Sequence, residues 1–428
     1  MDFRDFLGDL EKNNLLTRHK KPVDPRLEIA RILSESQKPV LFDAINGSDY
    51  RLVGNICASR ETIASYLGVK VKDLLFEMAR ALDKPVQSEI VKTGKCQEVV
   101  EKKVDLNKIP ILTHYKNDDG AYITAGICIV NDPKHGRNLS YHRLKRLSEN
   151  KLVARICERD TYKCMQNTPG ETEIAICLGN VPSVLLAAAT SLASEVDETT
   201  IAGALEKKPI KLVKCKTVDL EVPADCEIVL EGKITKETAG EGMFVDMTGT
   251  YDALRQQPVI KVQAVTHRQN PIYQALIPGM TEHRLLMGMP REPTIFKEVN
   301  KVCRCTNVNL TPGGCSWLHA VVQIRKKNPD DGRKAIEAAF NGHKSLKMCT
   351  VVDDDINLFD PNDVEWALAT RFQAHKDLLI LERQKGSSLD PSADEEPGTD
   401  RRLTDKMGID ATMPSDKDKE EFTRASSM

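Results

Sequence analysis

A chain of 428 residues with 61 Lys+Arg against 63 Asp+Glu, a formal net charge of -2, can bury a large core and carries no overall field for nucleic acid or an anionic membrane. No apolar run approaches the roughly 20 residues of a membrane helix. Met1-Asp2-Phe3-Arg4-Asp5 is too charged to open a signal peptide, so a cytoplasmic protein of two or three units is expected.

In chain order, residues 1–102 mix amphipathic helical stretches, Asp24 to Ser34 and Ser59 to Leu67, with short apolar strands such as Pro39 to Phe42. This reads as an N-terminal α/β lobe. Residues 103–300 are strand-rich: Tyr122 to Val130, Glu173 to Leu178, Ile210 to Val213, Cys226 to Leu230 and Pro258 to Val265, separated by Gly, Pro and Asn-Asp-Pro turns. Their spacing suits a β-barrel or sandwich. Over 301–385, the strand Leu318 to Ile324, a helix from Asp331 to Asn341, the strand Met348 to Val352 and a helix starting near Pro361 make a second α/β region. In the last segment, 386–428, residues 386–400 (GSSLDPSADEEPGTD) are apolar-poor and expected to be a flexible connector, while Asp405 to Thr412 reads as a tail that docks. The 12 cysteines are scattered without a CxxC pair, and Cys303, Cys305 and Cys315 read better as buried small hydrophobes than as a metal cluster.

Three clusters carry polar groups where a plain core would not. In Asn138-Leu139-Ser140-Tyr141-His142-Arg143, the Asn amide oxygen is a hard ligand suited to Mg²⁺ or Mn²⁺, and Arg143 offers a planar fork to a carboxylate. Alone, Gly136-Arg137-Asn138 is more often just a hairpin turn. Glu195-Val196-Asp197-Glu198 precedes the apolar Ile201-Ala202-Gly203-Ala204-Leu205, where acids are ordinary helix-dipole partners or metal ligands. In the third, Glu231-Gly232 is followed by Glu241-Gly242-Met243-Phe244-Val245-Asp246-Met247-Thr248-Gly249. Its two carboxylates, Glu241 and Asp246, flank an apolar stretch in which paired acids divide roles; solvated loop acids are the alternative.

Taken together, these clusters closely resemble the UbiD family of prenylated-flavin-dependent decarboxylases. The resemblance runs from about Asp105 to Thr412 and rests on Val222 to Gly232, Glu241-Gly242, Asp246-Met247-Thr248-Gly249, Asp353 to Asp360 and Lys406 to Thr412. It implies an α+β fold with a central split β-barrel of flavin-reductase type between N- and C-terminal α/β regions, the C-terminal region mediating homo-oligomers. It implies that Asn138 and Glu198 bind a Mn²⁺-like ion holding the phosphate of prenylated FMN, that Arg143, Glu241 and Asp246 are the catalytic trio, and that Lys406 reaches the same phosphate; K⁺ is an additional candidate ion. Two departures stand out. The family's usual His ligand is missing from Arg155-Ile156-Cys157-Glu158-Arg159-Asp160, where Glu158 is the first candidate and Arg155 and Asp160 are others. Met243-Phe244-Val245 replaces the commoner Pro-Phe-Gly.

The resemblance further implies that the flavin, supplied by a flavin prenyltransferase, is the electron sink for decarboxylation of a small unsaturated acid. Arg143 orients the carboxylate, Glu241 holds Arg143, and Asp246 delivers the proton. Compactness and the Glu158 departure are similar to the archaeal-type branch that converts trans-anhydromevalonate 5-phosphate to isopentenyl phosphate. His142, Lys145, Arg146, Arg155 and Arg159 are the cations at hand for a phosphate. An aromatic, hydroxybenzoate-type acid is the alternative substrate, and a flavin-binding protein without lyase activity the alternative class.

Overall fold

Runs of Ile, Val and Leu bounded by Gly, Pro and Asn turns become strands, and stretches with helical apolar spacing become helices, in the computed structural model, which describes residues 1–396 and 402–425. The fold is α+β and divides into two compact units, Met1–Leu286 and Met287–Met428.

At the centre of the first unit is a nine-stranded sheet. Its order is Tyr122–Ile123, Leu144–Arg146, Lys151–Ala154, Arg255–His267, Ile228–Glu241, Thr172–Leu178, Ile127–Asp132 and Gly136–Tyr141, with Val99–Glu101 joined to Arg255–His267. Every neighbouring pair is antiparallel. Among the described residues no pair closes Tyr122–Ile123 onto Gly136–Tyr141, so the sheet is open where a barrel was expected. Thr172–Leu178 (TEIAICL) is buried except at Glu173 because it lies inside the sheet with both faces covered, which removes the alternation of a one-sided strand.

Ile228–Glu241 runs well past the expected Cys226–Leu230 strand, and Arg255–His267 past Pro258–Val265. Register shifts at Glu231/Gly232 and Ile234/Thr238 bend this long pair. At the first shift, a Cβ on Gly232 would stand 2.4 Å from the Lys261 carbonyl oxygen, so only glycine fits.

The N-terminal segment joins this unit through long-range pairs. Ile272–Gln274 pairs in parallel with Arg51–Gly54, and Arg4 donates two hydrogen bonds of 2.8 Å to the fully buried Glu227. Such long-range pairings leave no local periodicity to read.

The second unit contains a six-stranded sheet ordered Arg304–Leu310, His319–Arg325, Met348–Asp353, Arg402–Asp410 and Leu378–Lys385, with Asp394–Glu395 on Arg402–Asp410. The expected helix after Asp330 spans Asp331–Gly342. Pro361 stands at the first position of Pro361–Arg371, capped by Asp360. Asp355 of the acidic run closes on the buried Arg371 at 2.5 Å, a structural use of that motif.

The expected tail docks as part of a sheet. Arg402–Asp410 is an interior strand, parallel to Met348–Asp353. Over 386–396 the polar side chains are fixed by packing and hydrogen bonds: Ser387 accepts from the buried Trp317 indole at 3.1 Å, and Asp390 from Lys347 at 2.8 Å. Residues 397–400 of the expected connector lie outside the described residues. All 12 cysteines are free thiols, Cys305 buried, and among the described residues no helix is long and apolar enough to cross a membrane.

The close approach at Gly232 makes a prediction: Gly232→Ala lowers the folding free energy by about 1–3 kcal/mol, seen as a lower denaturant midpoint at unchanged slope.

Candidate functional site

The two residues His142-Arg143 link Gly136–Tyr141 to Leu144–Arg146, and this link carries Arg143 to the end of the long Ile228–Glu241 strand. There Arg143 Nε donates to Glu241 Oε1 at 2.6 Å and Nη2 to Glu241 Oε2 at 2.9 Å, a two-pronged pair with Glu241 fully buried. Asp246 Oδ2 lies 3.7 Å from Arg143 Nη1. The expected trio is thus brought together by segments about 100 residues apart in sequence.

A third acid joins them. Asp252, cross-strand from Phe244 in the small hairpin Phe244–Val245/Tyr251–Asp252, accepts from Arg143 Nη2 at 2.9 Å and pairs with Arg255 at 2.6 Å. Sequence reading missed it, although Met247-Thr248-Gly249 is a turn signal that folds residue 252 back over residue 244. Phe244 packs its ring 4.8 Å from the Arg143 guanidinium carbon. Burial alone lowers the Arg143 pKa, but hydrogen bonds to Glu241 and the charges of Asp252 and Asp246 raise it above its ordinary value, so the cation is permanent.

Asp246 is held by its backbone: its amide donates to Thr250 O at 2.9 Å, Gly249 with φ +81° closes the turn, and Arg284 anchors Met247 O at 2.9 Å. Burial pushes the neighbouring His283 pKa down while the Asp246 charge opposes this, and its Nδ1 accepts from Gly279 N at 3.0 Å. Glu231, from the same sequence cluster, stands elsewhere; it is buried and accepts from Lys216 N and from Thr217 N and Oγ1.

A second cluster is built on Gly136–Tyr141 itself. Asp197 caps the helix Glu198–Glu206 and is gripped by Arg137 at 2.5 Å, which docks the helix start on this strand. Glu198 consequently accepts from Leu139 N at 2.8 Å, next to Asn138. The Asn138 amide lies 3.3 Å from Ser140 Oγ and 3.4 Å from Thr161 Oγ1. His142 Nδ1 is 3.0 Å from Arg155 O, so it donates, and desolvation pushes the ring pKa down to about 4. Its neutral Nε2 therefore accepts, from Thr161 Oγ1 at 3.0 Å or Ser140 Oγ at 3.1 Å, leaving hydroxyl lone pairs facing the Asn138 amide.

These residues fit a hard divalent ion. Glu198 is 6% exposed, burial pushes its pKa up to about 8, and no Lys or Arg pairs with it among the described residues. An amide, a carboxylate and hydroxyl oxygens are the donor set of Mg²⁺ or Mn²⁺. Glu158, the first candidate for a further ligand, is exposed in the turn before the helix Asp160–Asn167. Three residues further on, the first helical turn faces inward, and the side chain that meets Asn138 is Thr161, 2% exposed. Asp160 pairs with Lys163 and accepts from Ser194, and Arg155 presents its carbonyl to His142. Lys406 lies on strand Arg402–Asp410 of the second unit, donating to Lys344 O at 2.6 Å with burial pushing its pKa down to about 8.

The chain matches the N-terminal domain of 3-octaprenyl-4-hydroxybenzoate carboxy-lyase (UbiD) over residues 7–82, its Rift-related domain over 89–281 and its C-terminal domain over 284–411. It is 44% identical to the anhydromevalonate phosphate decarboxylase of Methanocaldococcus jannaschii over 94% of this chain and 95% of that one, and 42% identical to that of Methanosarcina mazei over 99% of both. Among solved structures, it superposes with a TM-score of 0.95 on the UbiD-class enzyme HmfF from Pelotomaculum thermopropionicum in complex with FMN, at 39% identity over 100% of this chain and 97% of that one. It superposes at 0.93 on the apo 3,4-dihydroxybenzoic acid decarboxylase of Enterobacter cloacae, at 26% identity over 100% and 97%.

The Glu198 carboxyl makes a pH prediction. Its folded pKa lies above the ordinary 4.5, so the folded chain keeps a proton that the unfolded chain releases. Stability from this group is therefore full below about 4.5 and declines as pH rises towards about 8. Thermal melts of chelator-treated protein at pH 6 and 8 should show a smaller drop for Glu198→Gln than for the wild type.

Proposed function

The chain belongs to the UbiD family of carboxy-lyases, and from that premise we propose that it decarboxylates an unsaturated phosphorylated acid of the anhydromevalonate phosphate type, using prenylated FMN and a divalent ion. The observation that carries this reading is the buried Arg143 fork, held on one edge by Glu241 with Asp246 3.7 Å from its remaining nitrogen.

When bound, the modified flavin supplies the electron sink for the carbanion character left by CO₂. Arg143 receives the substrate carboxylate through Nη1 and aligns it for loss. Glu241 keeps the guanidinium plane fixed, and its full burial excludes water from that pair. Asp246, the acid held least tightly by Arg143, returns a proton to the reacting carbon from its Oδ2.

Asn138 and Glu198 would hold a Mn²⁺-type ion, with Thr161 adding a hydroxyl, and its charge would offset that of the flavin phosphate. Of the cations first considered for the phosphates, His142 is neutral, Lys145 is committed to Asp119 and Arg146 donates to Leu106 O. Arg155 and Arg159 have no ion pair among the described residues and are assigned to the phosphates, with Lys406 as a further phosphate cation.

The finer architectural reading, a split barrel, rests on family likeness and on the curvature the two register shifts give the long strand pair. The domain scheme with a C-terminal oligomerisation region, assembly into a homo-oligomer, a cytoplasmic setting and supply of the flavin by a prenyltransferase belong to the same reading. A dimeric form of HmfF supports the assembly. The identity of 42–44% with anhydromevalonate phosphate decarboxylases over nearly the whole chain favours the phosphorylated acid over an aromatic one, since the 3,4-dihydroxybenzoic and vanillic acid decarboxylases are 26% and 29% identical.

With protein reconstituted with prenylated FMN and Mn²⁺, CO₂ release from anhydromevalonate phosphate is expected to exceed that from hydroxybenzoates; the reverse order overturns the substrate assignment. Asp246→Asn should lower turnover by about 10²- to 10⁴-fold while binding flavin normally by absorbance. Replacing Glu198 by Gln should abolish the rise in melting temperature that Mn²⁺ gives the wild-type chain.

A further inference from the structure

Gly240 and Gly242 flank Glu241, and the carbonyls of residues two apart on an extended chain face the same side. Along Ile228–Glu241, strand Arg255–His267 pairs with residues 238–241, whereas Thr172–Leu178 reaches only Ile234. The two glycine carbonyls meet side chains instead. Lys145 Nζ donates to Gly240 O at 2.6 Å, and the Tyr122 hydroxyl lies 2.9 Å from Gly242 O.

One carboxylate ties both donors together. Asp119 Oδ2 accepts from Lys145 Nζ at 2.6 Å, and Oδ1 lies 2.5 Å from the Tyr122 hydroxyl. Tyr122 is fully buried and Lys145 is 8% exposed. Burial and the Asp119 hydrogen bond raise the phenol pKa, so the hydroxyl keeps its single proton, which the Asp119 carboxylate and the Gly242 carbonyl share. Gly120 leaves room for the lysine stem, since a Cβ there would stand 3.1 Å from Lys145 Cδ. The tyrosine ring also packs 4.8 Å from Phe244, whose other neighbour is the Arg143 guanidinium.

We propose that Asp119, Tyr122 and Lys145 form a clamp that positions Glu241, and through it Arg143, by gripping the peptide carbonyls on either side of the glutamate. None of the three touches the Arg143 or Glu241 side chain, so they are positioning residues. Two glycines beside Glu241 make this stretch of backbone pliable, and a shift of about 1 Å at a catalytic group can cost 10²-fold in rate. The clamp removes that freedom. The inference rests on the proposed role of Arg143 and Glu241.

The test uses the enzyme reconstituted with prenylated FMN and Mn²⁺. Tyr122→Phe and Lys145→Met should each lower kcat by about tenfold with flavin content unchanged, and Lys145→Arg should recover most of the loss. Tyr122→Phe deletes one oxygen and carries the test if Lys145→Met fails to fold. The decisive readout is a double-mutant cycle on single-turnover CO₂ release. With Glu241→Gln already in place, adding Tyr122→Phe should cost less than about twofold, because the positioned group is gone. Wild-type kcat in Tyr122→Phe, or the same fractional loss with and without Glu241→Gln, overturns the clamp. Full activity of Glu241→Gln alone would instead overturn the reading of Arg143 and Glu241.

Discussion

A guanidinium withdrawn from water governs the first unit's site. Arg143 has a side chain 9% exposed, and a charge so placed is tolerated only when its hydrogen-bonding directions are filled. Glu241 fills one edge of the fork and Asp252 shares Nη2, while Asp252 also answers Arg255. Two cations therefore face three acids. The acid left with the longest contact is Asp246, at 3.7 Å. Charge balance alone thus separates an acid that fixes geometry from one with freedom to exchange a proton. The pair's worth lies in orientation, since burying it costs desolvation that its attraction roughly offsets.

Both clusters come off one short piece of chain. Asn138 and Arg143 are five residues apart, on the strand Gly136–Tyr141 and the turn that follows it. His142, between them, uses both ring nitrogens to tie the strand to the 155–161 segment. A strand with a two-residue link of this kind lets the distance between an ion-binding group and a carboxylate-binding group be set by backbone geometry rather than by long loops. The buried glutamates show the contrast that marks a binding position. Glu227 is answered by Arg4 and Arg268, and Glu282 by the amides of Asn55 and Cys57. Among the described residues Glu198 accepts only the Leu139 amide besides its own helix start, and no cation answers it.

Much of this was legible in the residues. Apolar runs located strands such as Thr172–Leu178, His319–Arg325 and Met348–Asp353, helical spacing located Arg60–Leu67, and Pro361 marked a helix start. Asn138, Arg143, Glu198, Glu241 and Asp246 were singled out by residue type and family likeness, and the fold brings them into two clusters around Gly136–Tyr141 and the link that follows it. Glu158 was misleading because helix phase, not residue type, decides which side chain turns inward, and that phase selects Thr161. The 386–396 segment was misread because its polar side chains make internal hydrogen bonds that composition does not distinguish from hydration.

By itself, the amino-acid order determined what depends on near neighbours: strand and helix positions, caps, turns, and the chemical types offered at each motif. Only the tertiary structure decided which of those groups meet. Asp252 reaches Arg143, Thr161 reaches Asn138, and Lys145 and Tyr122 grip the backbone around Glu241 because antiparallel register and two bends in one long strand pair bring them there. Those contacts join residues 23 to 120 positions apart, and their energy comes from burial that no single segment can supply alone.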